Sequence, residues 1–452
     1  MTGYNESEKY LIKMCDRTFL SLYSYPNVFR RRTPASELCD LLVVVGDDII
    51  IFSDKHCVYG NHEKPEVNWK RWFKSAVIAS AKQLWGAESW IKQFPADIYL
   101  DPKNTLKFPI NISISPSTRI HLILVAHGTQ QPCRDALGGI GSPIIDTSLK
   151  LIEDHDTPFI MGDISGRKTF VHILDDVAFE LILTCLDTVT DFVNYINKRE
   201  KFLKSGFLVQ AAGEEELLAD YLQTLDVDKE HNFTYPKPEF DGVSLIEGSW
   251  EKFVNSPHRH AQQEADKISY FWDNLIEEFS KHAINRSQHY VSEGGFVDAE
   301  RAIRFMAREP RFSRRYLSKS FIDILTKTSG KQQLFRIMDP QLGTGIYYVF
   351  AALPHHNPKT QSYKEYRSYR LDLLQSYCLV LRLIRPDAKY VIGIGMESGI
   401  DVSKRAEDLI CFDCSSWNYD LQKYVQELQA ETGILTRYKR TEFNDTEYPR
   451  QN

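Results

Sequence analysis

The sequence predicts a mixed α/β (α+β) protein in three segments. An N-terminal αβββαβ core spans 1–174, a helical region spans 175–330, and a C-terminal βαβ unit spans 331–452. Three observations predict this. The run from Asp40 to Lys55 holds two apolar stretches around Gly46-Asp47-Asp48, the composition of a hairpin. From 175 to about 327 strand-like runs give way to helical spacing of apolar residues with capping residues ahead of them. Beyond Gly330, apolar strands at 347–353 and 389–396 flank a long helical pattern at 363–384, a spacing that calls for a crossover between parallel strands.

Residues 5–22 read as a helix, with Leu11, Cys15, Phe19 and Leu22 on one face and Asn5 and Glu8 spaced as a capping box. A strand near 26–32 precedes the break at Thr33-Pro34, and strands at 38–45 and 49–55 form the hairpin. A helix over 67–93 buries Trp69, Trp72, Phe73, Ala76, Val77 and Leu84, and the next strand is 120–126. Strand-like pieces follow at 158–162 and 169–174. Asp176 is expected to cap one helix, and Thr188 with Asp191 a second that ends before Gly206. Helices are expected at 213–223 and 263–284, with an irregular linker at 226–262. A third C-terminal strand is expected at 409–412, and a last helix from Ser416 to about 432.

With 452 residues, 42% hydrophobic and 26% charged, the chain has the composition of a globular protein with several cores. A net charge of −6 excludes binding of nucleic acid through the charge of the whole molecule, so such binding needs a local patch. The eight cysteines are scattered, several of them inside apolar runs, which suits reduced thiols. No apolar signal core opens the chain and no window approaches a membrane span, so the expectation is a cytoplasmic protein with no membrane partner.

The chemistry concentrates in the hairpin. Asp40 stands at the entry of its first strand, and Asp54 and Lys55 stand at the exit of the second. Carboxylate oxygens are the hard ligands Mg²⁺ prefers, and an ammonium beside them can stabilise charge on a phosphorane.

The element order, with an acid before the second strand and Asp-Lys at the end of the third, resembles the PD-(D/E)xK, or restriction-endonuclease-like, superfamily over about the first 130 residues. The resemblance implies an endonuclease that hydrolyses DNA with Mg²⁺ or Mn²⁺. Asp40 and Asp54 would be its metal ligands, Lys55 would stabilise charge, and Gln83 and Glu8 would orient water or metal. It also implies a possible homo-oligomer that pairs two sites, and by fold analogy an effector of defence against foreign DNA. The chain departs from the pattern at one place: the position two before the lysine is Ser53, and the acid is Asp54. Because side chains alternate along a strand, Asp54 and Lys55 should point to opposite faces. Either a bulge turns Asp54 inward, or the role passes to another acid such as Glu37 or Asp48, or the site is degenerate.

Two basic runs are candidate nucleic-acid contacts. Lys70 and Lys74 lie on the 67–93 helix. Arg304, Arg308, Arg311, Arg314 and Arg315 lie in 301–319 with Glu309 as the single acid there. A solvated helix face and a set of arginines paired with acidic neighbours are the plain alternatives. His56 can assist at a metal site, although most histidines ligate nothing. Cys411-Phe-Asp-Cys414 has no partner pair for zinc, and Gly393-Ile-Gly395 has its third glycine at 399, one place late for a dinucleotide turn. No P-loop is present, so nucleotide hydrolysis or sensing would belong to a partner protein. The expected function is a metal-dependent endodeoxyribonuclease. The alternative is a catalytically degenerate protein that binds nucleic acid or docks a partner on the same fold.

Overall fold

The computed structural model describes residues 6–31, 36–290, 292, 294–328, 332–340, 344–355, 359–398, 406–442 and 445–449. They belong to a mixed α/β protein of two compact units, 1–260 and 261–452, so the helical segment read from the sequence is shared between the two.

In the first unit, α1 (Glu6–Phe19) precedes β1 (Ser24–Arg30), β2 (Ser36–Val45) and β3 (Asp48–His56). Gly46, at φ +63°, turns β2 into β3, a conformation that costs glycine little. A single helical run follows: α2 (Pro65–Trp72) passes through a π-helical turn, Phe73–Ile78, into α3 (Ala79–Gln93). Then come β4 (Ile98–Tyr99), β5 (Arg119–His127), α4 (Gln130–Leu137), β6 (Ile144–Asp146), β7 (Ile160–Met161) and β8 (Val171–Leu174). The rest comprises α5 (Asp176–Cys185), α6 (Val189–Leu203), β9 (Leu208–Ala211), α7 (Glu214–Gln223), β10 (Gly242–Leu245) and α8 (Ser249–Val254), and α9 (Pro257–Asp266) crosses the division at 260/261. The stretch 226–262 is therefore not plain linker. Its strand is four residues long and gains its hydrogen bonds from β9, a partner that local sequence does not reveal.

The main sheet has the order β4-β1-β2-β3-β5-β8. The strands β1 to β3 form an antiparallel meander, while β5 and β8 run parallel to β3. The β3–β5 register is unbroken from Asp48↔Arg119 to His56↔His127, so the C-terminal ends of these two strands lie side by side, and β8 ends two residues short of them, at Leu174 beside Val125. Phe52 of β3 faces Phe19 of α1, Phe179 of α5 and Phe192 of α6, with ring centroids at 5.9, 5.9 and 6.4 Å. The next residue, Ser53, faces α3 instead, because side chains alternate. Asp175, one residue before the expected cap, closes the start of α5: its carboxylate accepts the Ala178 N–H at 2.9 Å. Thr188 caps α6 as expected. The small second sheet has the order β10-β9-β6-β7.

The second unit begins with α10 (Tyr270–Asn285), α11 (Phe296–Ala307) and α12 (Arg311–Lys327). It continues through β11 (Leu334–Met338), β12 (Ile346–Leu353), α13 (Tyr363–Ile384), β13 (Tyr390–Glu397), β14 (Glu407–Asp413) and α14 (Tyr419–Thr432). The expected βαβ unit is β12–α13–β13, with its strands parallel; β11 and β14 flank it antiparallel. The last helix starts after its cap Asn418, whose side chain accepts the Leu421 N–H, rather than at Ser416. Among the described residues no helix is long and apolar enough to cross a membrane.

Candidate metal centre

The end of β3 carries two sets of polar side chains on opposite faces of the sheet. On the α3 face, Asp40 Oδ2 accepts the Asp54 backbone N–H at 2.6 Å, and Ser53 Oγ donates to Gln83 Oε1 at 3.4 Å. Burial raises the Asp40 pKa, and the Asp54 amide bond, the Ser53 hydroxyl and the Lys55 ammonium only partly offset that effect. Lys55 is exposed.

On the α1 and α5 face lies the Asp54 carboxylate. Its Oδ1 meets His127 Nε2 at 2.5 Å, and its Oδ2 lies 3.9 Å from His56 Nε2. His56 and His127 stack with ring centroids 3.7 Å apart. The other nitrogen of His127, Nδ1, lies 3.7 Å from Asp176 Oδ2 in the first turn of α5. One ligand atom from each of Asp54, His56 and His127 falls within 4.8 Å of the others. Tyr10, Leu11, Val125 and Phe179 close over Asp54, His127 and Asp176.

Burial opposes charge on His127, but the Asp176 and Asp54 carboxylates outweigh it and lift its pKa to about 9. Burial and the charge on His127 push His56 the other way, below its ordinary value. Gly128 holds the edge together. At φ +101° it passes so close to the chain after β3 that a Cβ there would stand 2.0 Å from the Cys57 carbonyl oxygen.

The expected pairing of Asp40 with Asp54 in one metal site is therefore corrected. The two share a strand end, but their carboxylates belong to opposite faces, because β3 keeps a regular register through Asp54 and has no bulge to turn it. Asp40, Lys55 and Gln83 do gather on one face, with Ser53 where the second acid would stand. Asp48 does not replace it. It sits at the far end of β3, bonded to Arg119 at 2.8 Å and to His121 at 3.4 Å. Glu37 is exposed on β2. Glu8 lies in the first turns of α1, and its side chain falls outside the described residues, as does Asn5.

The arginine run is likewise corrected. Arg314 and Arg311 both bond Asp273, at 2.6 and 2.9 Å, and Arg315 bonds Asp266 at 2.7 Å. All three are buried, so they hold α12 against the helices before it instead of facing a phosphate backbone. Arg304 pairs with Glu300 at 3.8 Å, and Arg308 also has a partner. Lys70 pairs with Asp156 at 2.9 Å on the surface, and Lys74 is exposed. Sequence reasoning missed His127 and the second role of Asp176. A histidine before a glycine at the end of an apolar strand was the available sign, but its partner across the sheet emerges only from the parallel register. Cys411 and Cys414 are thiols that burial pushes up to about 12 and about 11, which leaves them unreactive.

No protein-family model matches the chain, and no curated protein and no solved structure matches it.

Proposed function

We propose that the first unit is a divalent-metal-dependent hydrolase of phosphodiester bonds in DNA, on a restriction-endonuclease-like αβββαβ core, with Asp54, His56 and His127 as the metal ligands. The observation that carries this reading is the convergence of one carboxylate and two imidazoles at the ends of adjacent parallel strands. The strand ends of an open α/β sheet are where ligands settle. One carboxylate with two imidazoles fits Mn²⁺ or Zn²⁺ better than Mg²⁺, which prefers oxygen ligands. This donor set therefore moves the expected cofactor away from Mg²⁺.

A cation held there would supply Lewis acidity toward a phosphodiester oxygen and make nearby water more acidic. His127 must give up its Nε2 proton to ligate, and Asp176 beside Nδ1 orients its ring and raises its basicity. Asp40 acts as a positioning residue: its carboxylate holds the amide of Asp54 and so fixes the strand end. Lys55, exposed beside Asp40, offers a cation to the phosphate backbone.

Calorimetric titration with Mn²⁺ and Zn²⁺, together with cleavage of plasmid DNA, tests the reading. The expected result is stoichiometric binding and cleavage, both lost in Asp54→Ala and His127→Ala. Cleavage that survives in both variants would refute the site. Ser53, standing where the resemblance places an acid, favours a second reading, a non-catalytic binding protein on the same fold. DNA binding without cleavage under every cation would support that one.

A further inference from the structure

We infer that the second unit binds single-stranded nucleic acid in a basic groove formed by α12, the edge strand β11 and the chain after α14. The groove has a volume of about 1020 Å³ and is lined wholly by residues of that unit. Its walls carry seven cations, Lys319, Lys327, Arg336, Arg385, Arg437, Lys439 and Arg440, against three carboxylates, Asp323, Asp339 and Glu442. In a chain of net charge −6 this is a local reversal of sign.

The cations differ in what they already hold. Lys327 and Arg336 share Asp323, at 2.8 and 2.6 Å, Arg385 bonds Asp339 at 3.1 Å, and Lys319 reaches Asp445 at 3.0 Å. Arg437, Lys439 and Arg440 are exposed, and among the described residues they carry no ion pair. Three exposed cations within four residues along the groove offer a polyanion phosphate contacts that release its counterions.

Aromatic rings distinguish the occupant. Tyr438 lies between Arg437 and Lys439 and is 55% exposed, so its ring is open to a base; Tyr316, Phe335 and Tyr377 also line the groove but are half-buried, and the last two are stacked on each other at 3.7 Å. Cations tracking a backbone with rings available to base faces are the recognition mode of single strands. A duplex keeps its bases stacked inside and would leave the exposed Tyr438 ring without a base face, and a membrane calls for apolar side chains at the centre of the contact, whereas this wall is charged. The inference does not depend on the metal centre, which lies in the other unit.

The test uses the full chain and a fluorescein-labelled oligothymidylate, read by anisotropy in EDTA across a salt series, so that metal binding and cleavage play no part. The expected result is binding that weakens steeply with salt. The triple substitution Arg437→Gln, Lys439→Gln, Arg440→Gln should weaken it at least about tenfold and shrink the log–log salt slope by about 2, the share of three phosphates on a single strand. Tyr438→Ala should weaken it about fivefold or more with the slope unchanged. The control pair Lys364→Gln and Lys423→Gln, both exposed elsewhere in the unit, should leave binding as it is. The inference is overturned by a triple variant that binds like the wild type, by a control that weakens binding equally, by polyglutamate displacing the oligonucleotide at equal charge, or by binding only to phosphatidylserine vesicles.

Discussion

Arg314→Ala separates a structural arginine from a phosphate-binding one. The Arg314 side chain has no exposed surface. Each of its three nitrogens donates inside the second unit: Nη1 to Asp273 Oδ1 at 2.6 Å, Nε to the Glu309 carbonyl at 2.8 Å, and Nη2 to the Ala307 carbonyl at 2.5 Å. Those two carbonyls close the end of α11, so one guanidinium both caps that helix and neutralises an acid of α10. Truncation leaves Asp273 with Arg311 alone and strips both carbonyls of a donor. Breaking a buried pair from one side costs about 3–5 kcal/mol, and an orphaned buried acceptor about 1–3 kcal/mol. These losses overlap and do not add, and water entering the space left behind recovers part of them, so the expected loss is about 4 kcal/mol. For a unit of this size that lowers the melting temperature by roughly 8–16 °C. Calorimetric melting reads the loss, and amide exchange across 296–327 locates it. Arg314→Lys, which keeps the charge but not the fork, should fall in between. Oligonucleotide binding by Arg314→Ala, measured at a temperature where it is folded, should match the wild type. A melting point within about 2 °C of the wild type together with weakened binding would refute the structural role.

Two further predictions concern protons in the first unit. Burial, with added repulsion from Asp175 and Glu216, lifts Glu215 from 4.5 to about 7, and burial likewise lifts Asp175 to about 7. The folded state thus keeps protons that the unfolded chain has already released, so stability should decline as pH rises from about 4.5 to about 7 and then level off. Glu215→Gln should flatten that decline and gain on the order of 2 kcal/mol at pH 8 in denaturant titrations, and a variant that keeps the wild-type slope would count against it. His127, lifted to about 9, contributes stability that is complete below its ordinary 6.5 and is lost as pH rises through 9. An NMR titration in EDTA should find that value, and Asp54→Asn should bring it down; an unchanged value in the variant would remove Asp54 as its partner.

The elements with strong local signals were legible in the sequence. The helix over Pro65–Gln93, the hairpin, the β12–α13–β13 crossover and the Thr188 cap follow from periodicity and capping alone. What escaped is non-local. Strands β4, β6, β9, β10 and β11 are two to five residues long and exist because a partner strand pairs with them, so no window of their own sequence distinguishes them from loop. The arginine run misled for a related reason. Its pairing acids, Asp266 and Asp273, lie 38 to 49 residues earlier in sequence, and only the packing of α12 on the end of α9 and on α10 brings them over the guanidiniums.

The hairpin shows where local reading stops being sufficient. That Asp54 and Lys55 face opposite ways follows from strand alternation alone, and the unbroken β3 register bears it out. Alternation says which face Asp54 leaves, but not what it meets on the other. That depends on β5 lying parallel to β3, which sets His127 level with His56, and on β8 lying parallel to β5, which delivers the start of α5 and Asp176 to the same edge. A one-residue slip of β5 would turn His127 to the α3 face and leave Asp54 without its nearest partner. The centre is therefore encoded less by the acid-lysine pair than by the register of two parallel crossovers, and Gly128, which lets the chain leave β5 tight against Cys57, helps to hold that register.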